Sequence, residues 1–255
     1  MRSFSQRGVS LVDVLVGSAL VLIIFLGLFA MVRASLAVSS LAKLRATATS
    51  LATTRMEYIR SLSYDAVGTV GGIPAGVVPQ FATSTLDSLP YVTRTFIEYA
   101  DDPADGEGVL DENGIITDYK HVKVTTSYVS NGTSRAITLV SNFAPPGIET
   151  TTGGGTLRAF AVNAQGAPIA GASVRIVNGS TVPTVDVTTF SNDQGVVYLP
   201  GAATSTEYQV YVSKLGYSSA QTYTRDATNV NPTPGYVTIV ENQTTESTFA
   251  IDVLS

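Results

Sequence analysis

The chain opens with a long apolar run and then changes to shorter patterns. From Val9 to Val32 nearly every residue is apolar or small, a run of about 24 residues. As a helix this run would extend roughly 36 Å, enough to cross about 30 Å of hydrocarbon. The pattern therefore predicts a membrane-spanning helix near the N-terminus.

The helical pattern continues beyond the apolar run. Residues 33 to 62 contain neither proline nor glycine, and large apolar residues recur mostly every three, four, five or seven positions: Leu36, Leu41, Leu44, Leu51, Met56, Ile59 and Leu62. Such a stripe is typical of one helix face. We therefore predict one continuous helix of about 50 residues, half in lipid and half in water, that ends before the glycines and proline of 68–74.

After this helix the pattern becomes that of strands. The segments 91–98, 120–129 and 134–141 alternate between apolar and polar residues, and Asn131-Gly132 separates the last two. Asn-Gly between alternating segments is a strong hairpin signal. We predict a small antiparallel sheet after the helix, and then a linker at the Pro-, Gly- and Thr-rich stretch 144–155.

From Thr156 onward the pattern is all β. Short segments rich in β-branched and aromatic residues are separated by turn signals such as Asn163-Ala-Gln-Gly166 and Asn192-Asp-Gln-Gly195. The segments are 173–177, 187–191, 195–199, 208–213, 236–240 and 247–253. Strands at this spacing predict a β-sandwich of about 100 residues.

The amino-acid composition excludes some classes of protein function. Charged residues make up 14% and hydrophobic residues 44%, so the chain can bury a core and is not a disordered tail. The formal net charge is −5, and the 15 basic residues are dispersed, so we predict no nucleic-acid partner. The chain has no cysteine and a single histidine, His121, which strand alternation places on a polar face. We therefore expect no enzyme, because thiol chemistry is excluded and a Ser-His-Asp triad would depend on that histidine.

Three interpretations of the N-terminus differ in how many residues they explain. A cleaved secretory signal has a shorter apolar core and an A-x-A-like site, which this run lacks. A plain signal anchor fits Arg2 and Arg7, since basic residues hold the preceding segment in the cytoplasm. That interpretation leaves Asp13 unexplained, although a carboxylate costs about 2.5–3.5 kcal/mol at the centre of a bilayer.

The third interpretation rests on a resemblance. The stretch RGVSLVDVLVGSALVLIIFLGLFA resembles the class III signal of type IV pilins and pseudopilins, with a basic leader that ends in glycine. The resemblance implies that a prepilin peptidase cuts between Gly8 and Val9 and methylates the new amine of Val9. It also makes Asp13 the fifth mature residue, the assembly acid. The family most often has phenylalanine and glutamate where this chain has Val9 and Asp13.

The resemblance extends beyond the signal. Two further segments look like parts of pseudopilins and PilV-like minor pilins. The stretch TRMEYIRSLSYDAVGTVGGIPAG resembles their helix end and following loop, and the segment from Tyr91 to Tyr128 resembles their first strands. The implied fold class is α+β, with a long, partly transmembrane helix packed on a small antiparallel sheet. The implied division is a leader 1–8, an assembly half of the helix 9–32, a pilin-like globular domain 33–143, and a linker 144–155.

The C-terminal part resembles a second family. It is similar to the carboxypeptidase regulatory-like domain. The similarity rests on the stretch GAPIAGASV, which begins at Gly166, on the later NDQG, which ends at Gly195, and on Tyr208, Gly216 and Tyr217. This resemblance implies a prealbumin-like β-sandwich over 156–255. None of the matched residues forms a catalytic set.

An acidic segment between two predicted strands leaves two interpretations open. It contains Asp101, Asp102, Asp105 and Asp111 among several glycines. Calcium prefers oxygen ligands of this kind, although the spacing is not that of an EF-hand. Solvated turns favour the same residues for their backbone geometry. Calcium is therefore the single candidate cofactor, and it is a hypothesis from these four residues.

The expected function follows from the two resemblances. A minor pilin or pseudopilin is processed by prepilin peptidase and assembles with other pilins into a type IV pilus or a type II secretion-like fibre. Before assembly it is a single-pass protein of the cytoplasmic membrane with its C-terminus outside, and the sandwich serves adhesion or a tip role toward an unknown surface ligand. The alternative is a membrane-anchored surface binding protein that never enters a fibre.

Overall fold

The computed structural model describes residues 11–104, 106, 117–146 and 153–254. Within these residues one long helix precedes two groups of strands. We call the four strands between residues 81 and 143 the first β unit, and the strands between 155 and 250 the second β unit. Half of the predicted linker, residues 147–152, lies outside the described residues.

The helix α1 is continuous from Leu11 to Arg60, a length of 50 residues. This confirms the predicted long helix, and Gly17 and Gly27 lie inside it without ending it. Its large apolar side chains from Leu11 to Val38 are exposed, whereas Ala48, Ala52, Met56 and Ile59 are buried. Only the C-terminal third of the helix is therefore covered by the rest of the described chain.

The first β unit is one antiparallel sheet in the order β1-β2-β3-β4. Its strands are β1 (Phe81–Leu86), β2 (Leu89–Ala100), β3 (Tyr119–Ser130) and β4 (Thr133–Phe143). Two-residue turns, Asp87-Ser88 and Asn131-Gly132, close its two hairpins, and all four turn residues have positive φ. This is the geometry of a type I′ turn, whose twist matches that of the strands. The Asn-Gly hairpin was predicted, whereas β1 was not.

One face of this sheet is covered by the end of α1. Ala52, Met56 and Ile59 share a buried cluster with Ile97 of β2 and with Val122 and Val124 of β3. One helical turn earlier, Ala48 is buried with Tyr91 and Tyr128, whose ring centroids lie 5.7 Å apart. The core of the first β unit therefore lies between the last turns of α1 and the sheet.

The second β unit consists of two sheets around one core, as expected for a β-sandwich. One has the order β10-β9-β6-β7 with β11 also paired to β9, and the other has the order β12-β5-β8. Leu157, Ala159 and Phe249 from one sheet meet Ile176 and Val210 from the other. The strands are β5 (Gly155–Val162), β6 (Ser173–Asn178), β7 (Val185–Phe190), β8 (Val196–Ala202), β9 (Ser205–Ser213), β10 (Ala220–Gln221), β11 (Val237–Ile239) and β12 (Thr244–Ala250).

The last strand departs from the sequence-based expectation. β12 runs from Thr244 to Ala250, about three residues earlier than predicted, and it pairs with β5 in parallel. Alternation in residues 247–253 continues past the strand because Ile251 is buried in the same core. The alternation of apolar residues indicates which side chains are buried, but it does not indicate where the hydrogen bonds between the strands end.

Two turns of the second β unit have the same local structure. In each, an asparagine Oδ1 accepts hydrogen bonds from backbone N–H groups two and four residues later. Asn163 accepts from Gln165 and Ala167 at 3.0 and 2.8 Å, and Asn192 accepts from Gln194 and Val196 at 3.0 and 2.8 Å. The glycines that end the two turns have φ of 80° at Gly166 and 76° at Gly195.

These paired turns give a matched test of packing. Alanine at either glycine would carry the cost of a left-handed conformation, about 1–2 kcal/mol. A Cβ on Gly166 would meet nothing within 4 Å, whereas one on Gly195 would lie 2.5 Å from the Ala161 oxygen. We expect Gly195→Ala to lower the free energy of unfolding by roughly 1–3 kcal/mol more than Gly166→Ala. Thermal melts of both variants check this, and equal losses would contradict the packing argument.

Candidate functional site

The first candidate site is the exposed N-terminal part of α1. Asp13 lies in its first turn and is exposed. A carboxylate there is favoured by the positive end of the helix dipole. Gly8 and Val9, the predicted processing residues, lie outside the described residues. By length and composition α1 could cross a membrane, which is consistent with a single-pass membrane protein.

The acidic segment connects β2 to β3. Asp101 and Asp102 directly follow β2, and the Asp102 N–H donates a hydrogen bond to the Asp118 carboxylate at the other end of the connection. Asp105 and Asp111 lie outside the described residues. Within the described ranges, no three His, Cys, Asp or Glu side chains are grouped so that they could hold a metal ion. The calcium site therefore stays a prediction.

Calcium binding is measured by thermal stability. If Asp101, Asp102, Asp105 and Asp111 ligate calcium, millimolar calcium will raise the melting temperature of the full chain above its value in EGTA, because a ligand that binds only the folded state stabilises it. Magnesium at the same concentration is the control, since it demands a tighter octahedral geometry. An unchanged melting temperature would leave a solvated turn as the interpretation of this segment.

His121 lies on the outer face of the first sheet, opposite the face that α1 covers. It is half-buried and directly opposite Glu98 on β2. Its Nδ1 is 2.8 Å from Oδ1 of Asn142 on β4. The sequence pattern predicted that this histidine lies on the polar face of its strand, and the register of β3 against β2 and β4 places it there.

The same outer face meets the second β unit. The ammonium of Lys123 is 3.1 Å from the Asp193 carboxylate, and the Arg94 guanidinium lies 5.0 Å from the centre of the Phe190 ring. Ile73, from the loop after α1, is buried in the core cluster of the second β unit. The ion pair is largely exposed and contributes little on its own. The buried contact of Ile73 is therefore expected to stabilise the junction more than this ion pair does.

Glu98 lies at this junction and has an altered protonation equilibrium. Burial raises the pKa of the Glu98 carboxyl to about 7. A hydrogen bond from the Asn192 side chain and the charge of Lys123 act in the opposite direction, while the charge of Asp193 adds to the increase. The largest cause is the loss of water around the carboxylate, which disfavours its charged form.

Lys120 is buried on the other face of the sheet. Its ammonium donates to the backbone oxygens of Tyr64 and Val67, both at 2.7 Å, and lies 4.4 Å from the centre of the Tyr64 ring. Burial lowers the pKa of Lys120 to about 8, although the charge of Asp65 acts in the opposite direction. The lysine thereby attaches the segment that follows α1 to the sheet.

Sequence reasoning did not single out Glu98 or Lys120. Strand alternation contained a signal for Lys120, because it shares parity with Val122 and Val124 on the buried face. A lysine at an apolar position indicates a specific partner. Glu98 carried no such signal, since it alternates normally as an outward residue and is half-buried where the second β unit covers it.

Comparisons with known proteins give no family assignment. No family model and no curated protein matches the chain. Solved structures that match part of the chain include a 3-chlorocatechol 1,2-dioxygenase from Rhodococcus opacus 1CP, with a TM-score of 0.29, 14% identity, and coverage of 40% of this chain and 61% of that one. BcpA, the major pilin subunit of Bacillus cereus, has a TM-score of 0.25, 16% identity, and coverage of 53% and 39%. The Bacillus anthracis TIE protein has a TM-score of 0.27, 13% identity, and coverage of 68% and 39%.

These likenesses are weak. The chain spans between 39% and 61% of the length of those structures. At such TM-scores they carry no argument about fold or function.

Proposed function

We propose that this protein is a minor pilin or pseudopilin that is processed between Gly8 and Val9 and assembles through its N-terminal helix into a type IV pilus or type II secretion-like fibre. The observation that carries this proposal is the division of α1. Its first two thirds expose a continuous apolar surface, and its last turns are buried in the first β unit. Such a helix suits both a membrane before assembly and a bundle of like helices afterwards.

Asp13 supports assembly over simple anchoring. The helix dipole favours a carboxylate in the first turn of any helix, but only a bundle of such helices would also offer it a cationic partner from a neighbouring subunit. Cleavage after Gly8 would create an ammonium at Val9, four residues before Asp13 and therefore on the same helix face. In a fibre the Asp13 carboxylate would pair with the Val9 amine of a neighbouring subunit. The packed helix end and sheet of the first β unit fit a pilin-like globular domain, and the second β unit would be displayed outside.

Replacing Asp13 tests the proposal. We expect Asp13→Ala to reduce incorporation into sheared fibres about tenfold or more, because an unpaired charge left in a buried contact costs more than the roughly 1.4 kcal/mol that a tenfold change requires. Membrane insertion should be unchanged. Asp13→Glu should retain assembly, since glutamate keeps the charge, and Ser18→Ala is the control on the same exposed part of α1.

The measurement compares sheared fibres with the membrane fraction, in cells that carry the assembly machinery. Parent protein found only in membranes, without crosslinks from α1 to other pilins, would favour the anchored surface protein instead. Normal incorporation of Asp13→Ala would refute the assembly role of the carboxylate. Mass spectrometry of the mature N-terminus separately tests cleavage after Gly8 and methylation of Val9.

A further inference from the structure

A cleft lies between the two β units, and both units contribute its walls. Its volume is about 490 Å³, within the roughly 300–1,000 Å³ typical of small-molecule sites. The first β unit and the segment after β2 contribute Glu98, Ala100, Asp101, Pro103, Tyr119 and His121. The second β unit contributes Arg158, Phe160, Asn192, Asp193, Gln194, Val196 and Tyr198. We call this space the interunit cleft.

The walls of the interunit cleft are fixed by contacts made elsewhere. Arg158 and Phe160 on β5 stand opposite Tyr198 and Val196 on β8, so these four side chains share one face of a paired sheet. The turn that carries Gln194 is held by the hydrogen bonds to Asn192 Oδ1. The backbone of this wall is therefore already in place before a ligand binds, which lowers the entropy cost of binding.

The charged side chains that line the cleft are Arg158 and three carboxylic acids, Glu98, Asp101 and Asp193. The Arg158 guanidinium donates to the Glu246 carboxylate at 2.9 Å, and Asp193 pairs with Lys123. Burial raises the pKa of Glu98 to about 7, so near neutral pH its carboxyl is partly protonated and serves as donor or acceptor. A phosphate-bearing ligand would require an excess of positive charge, and the lining does not provide one.

The remaining lining combines apolar surface with neutral hydrogen-bonding groups. Phe160, Val196 and Tyr198 lie at the base of the cleft, where Val196 and Tyr198 are nearly buried and Phe160 is half-buried. The guanidinium of Arg158 lies 4.8 Å from the centre of the Phe160 ring. Tyr119, His121 and Gln194 add groups that donate and accept hydrogen bonds. Sugars present apolar C–H faces together with hydroxyls that both donate and accept. We propose that the interunit cleft binds a neutral oligosaccharide.

This proposal goes beyond the proposed function and rests on it only in placing both β units outside the cell. It is tested without fibres, so its failure is separate from a failure of assembly. The full chain is purified in a detergent without a sugar headgroup, because glycosidic headgroups would compete for the cleft. Trimers of glucose, galactose, mannose and N-acetylglucosamine are then screened by saturation-transfer difference NMR, and affinity is measured by titration calorimetry.

The variants address one wall each and have a matched control. Gln194→Ala alters the wall from the second β unit, and His121→Ala alters the wall from the first. If His121→Ala lowers the melting temperature, Tyr119→Phe is used in its place. Gln165→Ala is the control, because Gln165 occupies the same position in the equivalent turn but does not line the cleft. We expect at least one trisaccharide to bind, with affinity reduced about tenfold or more by each cleft variant and unchanged by the control.

Three results would overturn the proposal. They are the absence of binding by every trisaccharide at millimolar concentration, an equal loss of affinity in Gln165→Ala, and a loss confined to variants of one β unit. The last result would place the ligand on a single unit and not in the interunit cleft.

Discussion

Replacing Ile59 with alanine is expected to lower the free energy of unfolding by about 2–5 kcal/mol, and the melting temperature by roughly 5–15 °C. Ile59 is fully buried, and it packs with residues of the first sheet in the last turn of α1. Truncation removes apolar contacts and leaves a cavity between helix and sheet that close packing fills only in part.

A control on the same helix separates packing from helix propensity. Leu36→Ala also truncates a large aliphatic residue of α1, but Leu36 is 66% exposed. We expect Leu36→Ala to leave the melting temperature of the β units unchanged, with circular dichroism as the measurement in detergent micelles. Equal melting temperatures for Ile59→Ala and the parent would mean that the helix does not stabilise the sheet.

Raising the pH from 4.5 to above 7 is expected to destabilise the junction between the β units by about 2–3 kcal/mol, through Glu98. The unfolded carboxyl has a pKa of 4.5, and the folded one a pKa of about 7. Between these values the folded state retains a proton that the unfolded state has lost. The stabilisation is therefore fully present below pH 4.5 and is lost as the pH rises through 7.

Thermal melts across this range measure the effect. The parent should lose roughly 4–12 °C in melting temperature between the two ends of the window. Glu98→Gln keeps the shape of the side chain and removes its titration, so its melting temperature should stay nearly constant. Glu241→Gln, at an exposed glutamate of the second β unit, should behave like the parent. A parent profile without this slope, or one that Glu98→Gln leaves intact, would assign the effect to another group.

The local elements of this fold were predictable where one signal dominated. The helix from Leu11 to Arg60 follows from an apolar run and a stripe without helix breakers, and Asn131-Gly132 marked its hairpin. The strand β1 was missed because its hairpin turns at Asp87-Ser88, where two residues other than glycine adopt positive φ. Pairing with β2 imposes that conformation, and local preference does not indicate it.

The candidate sites also differ in how far the sequence alone could predict them. Asp13 and the acidic segment could be named from the sequence because a carboxylate in an apolar run and a cluster of acids are local features. Glu98, Lys120 and the interunit cleft could not, since each depends on segments far apart in the chain. Glu98, for example, meets Asn192 and Asp193 from the other β unit.

By itself the sequence determined a long apolar helix with an acid in its first turn, a sheet after it, and a second all-β segment, because periodicity and turn chemistry act over a few residues. Tertiary structure alone decided which third of the helix is buried, that β12 joins β5 in parallel, and that the two β units enclose a cleft. It also set the protonation of Glu98 and Lys120, since a pKa depends on the water that packing removes.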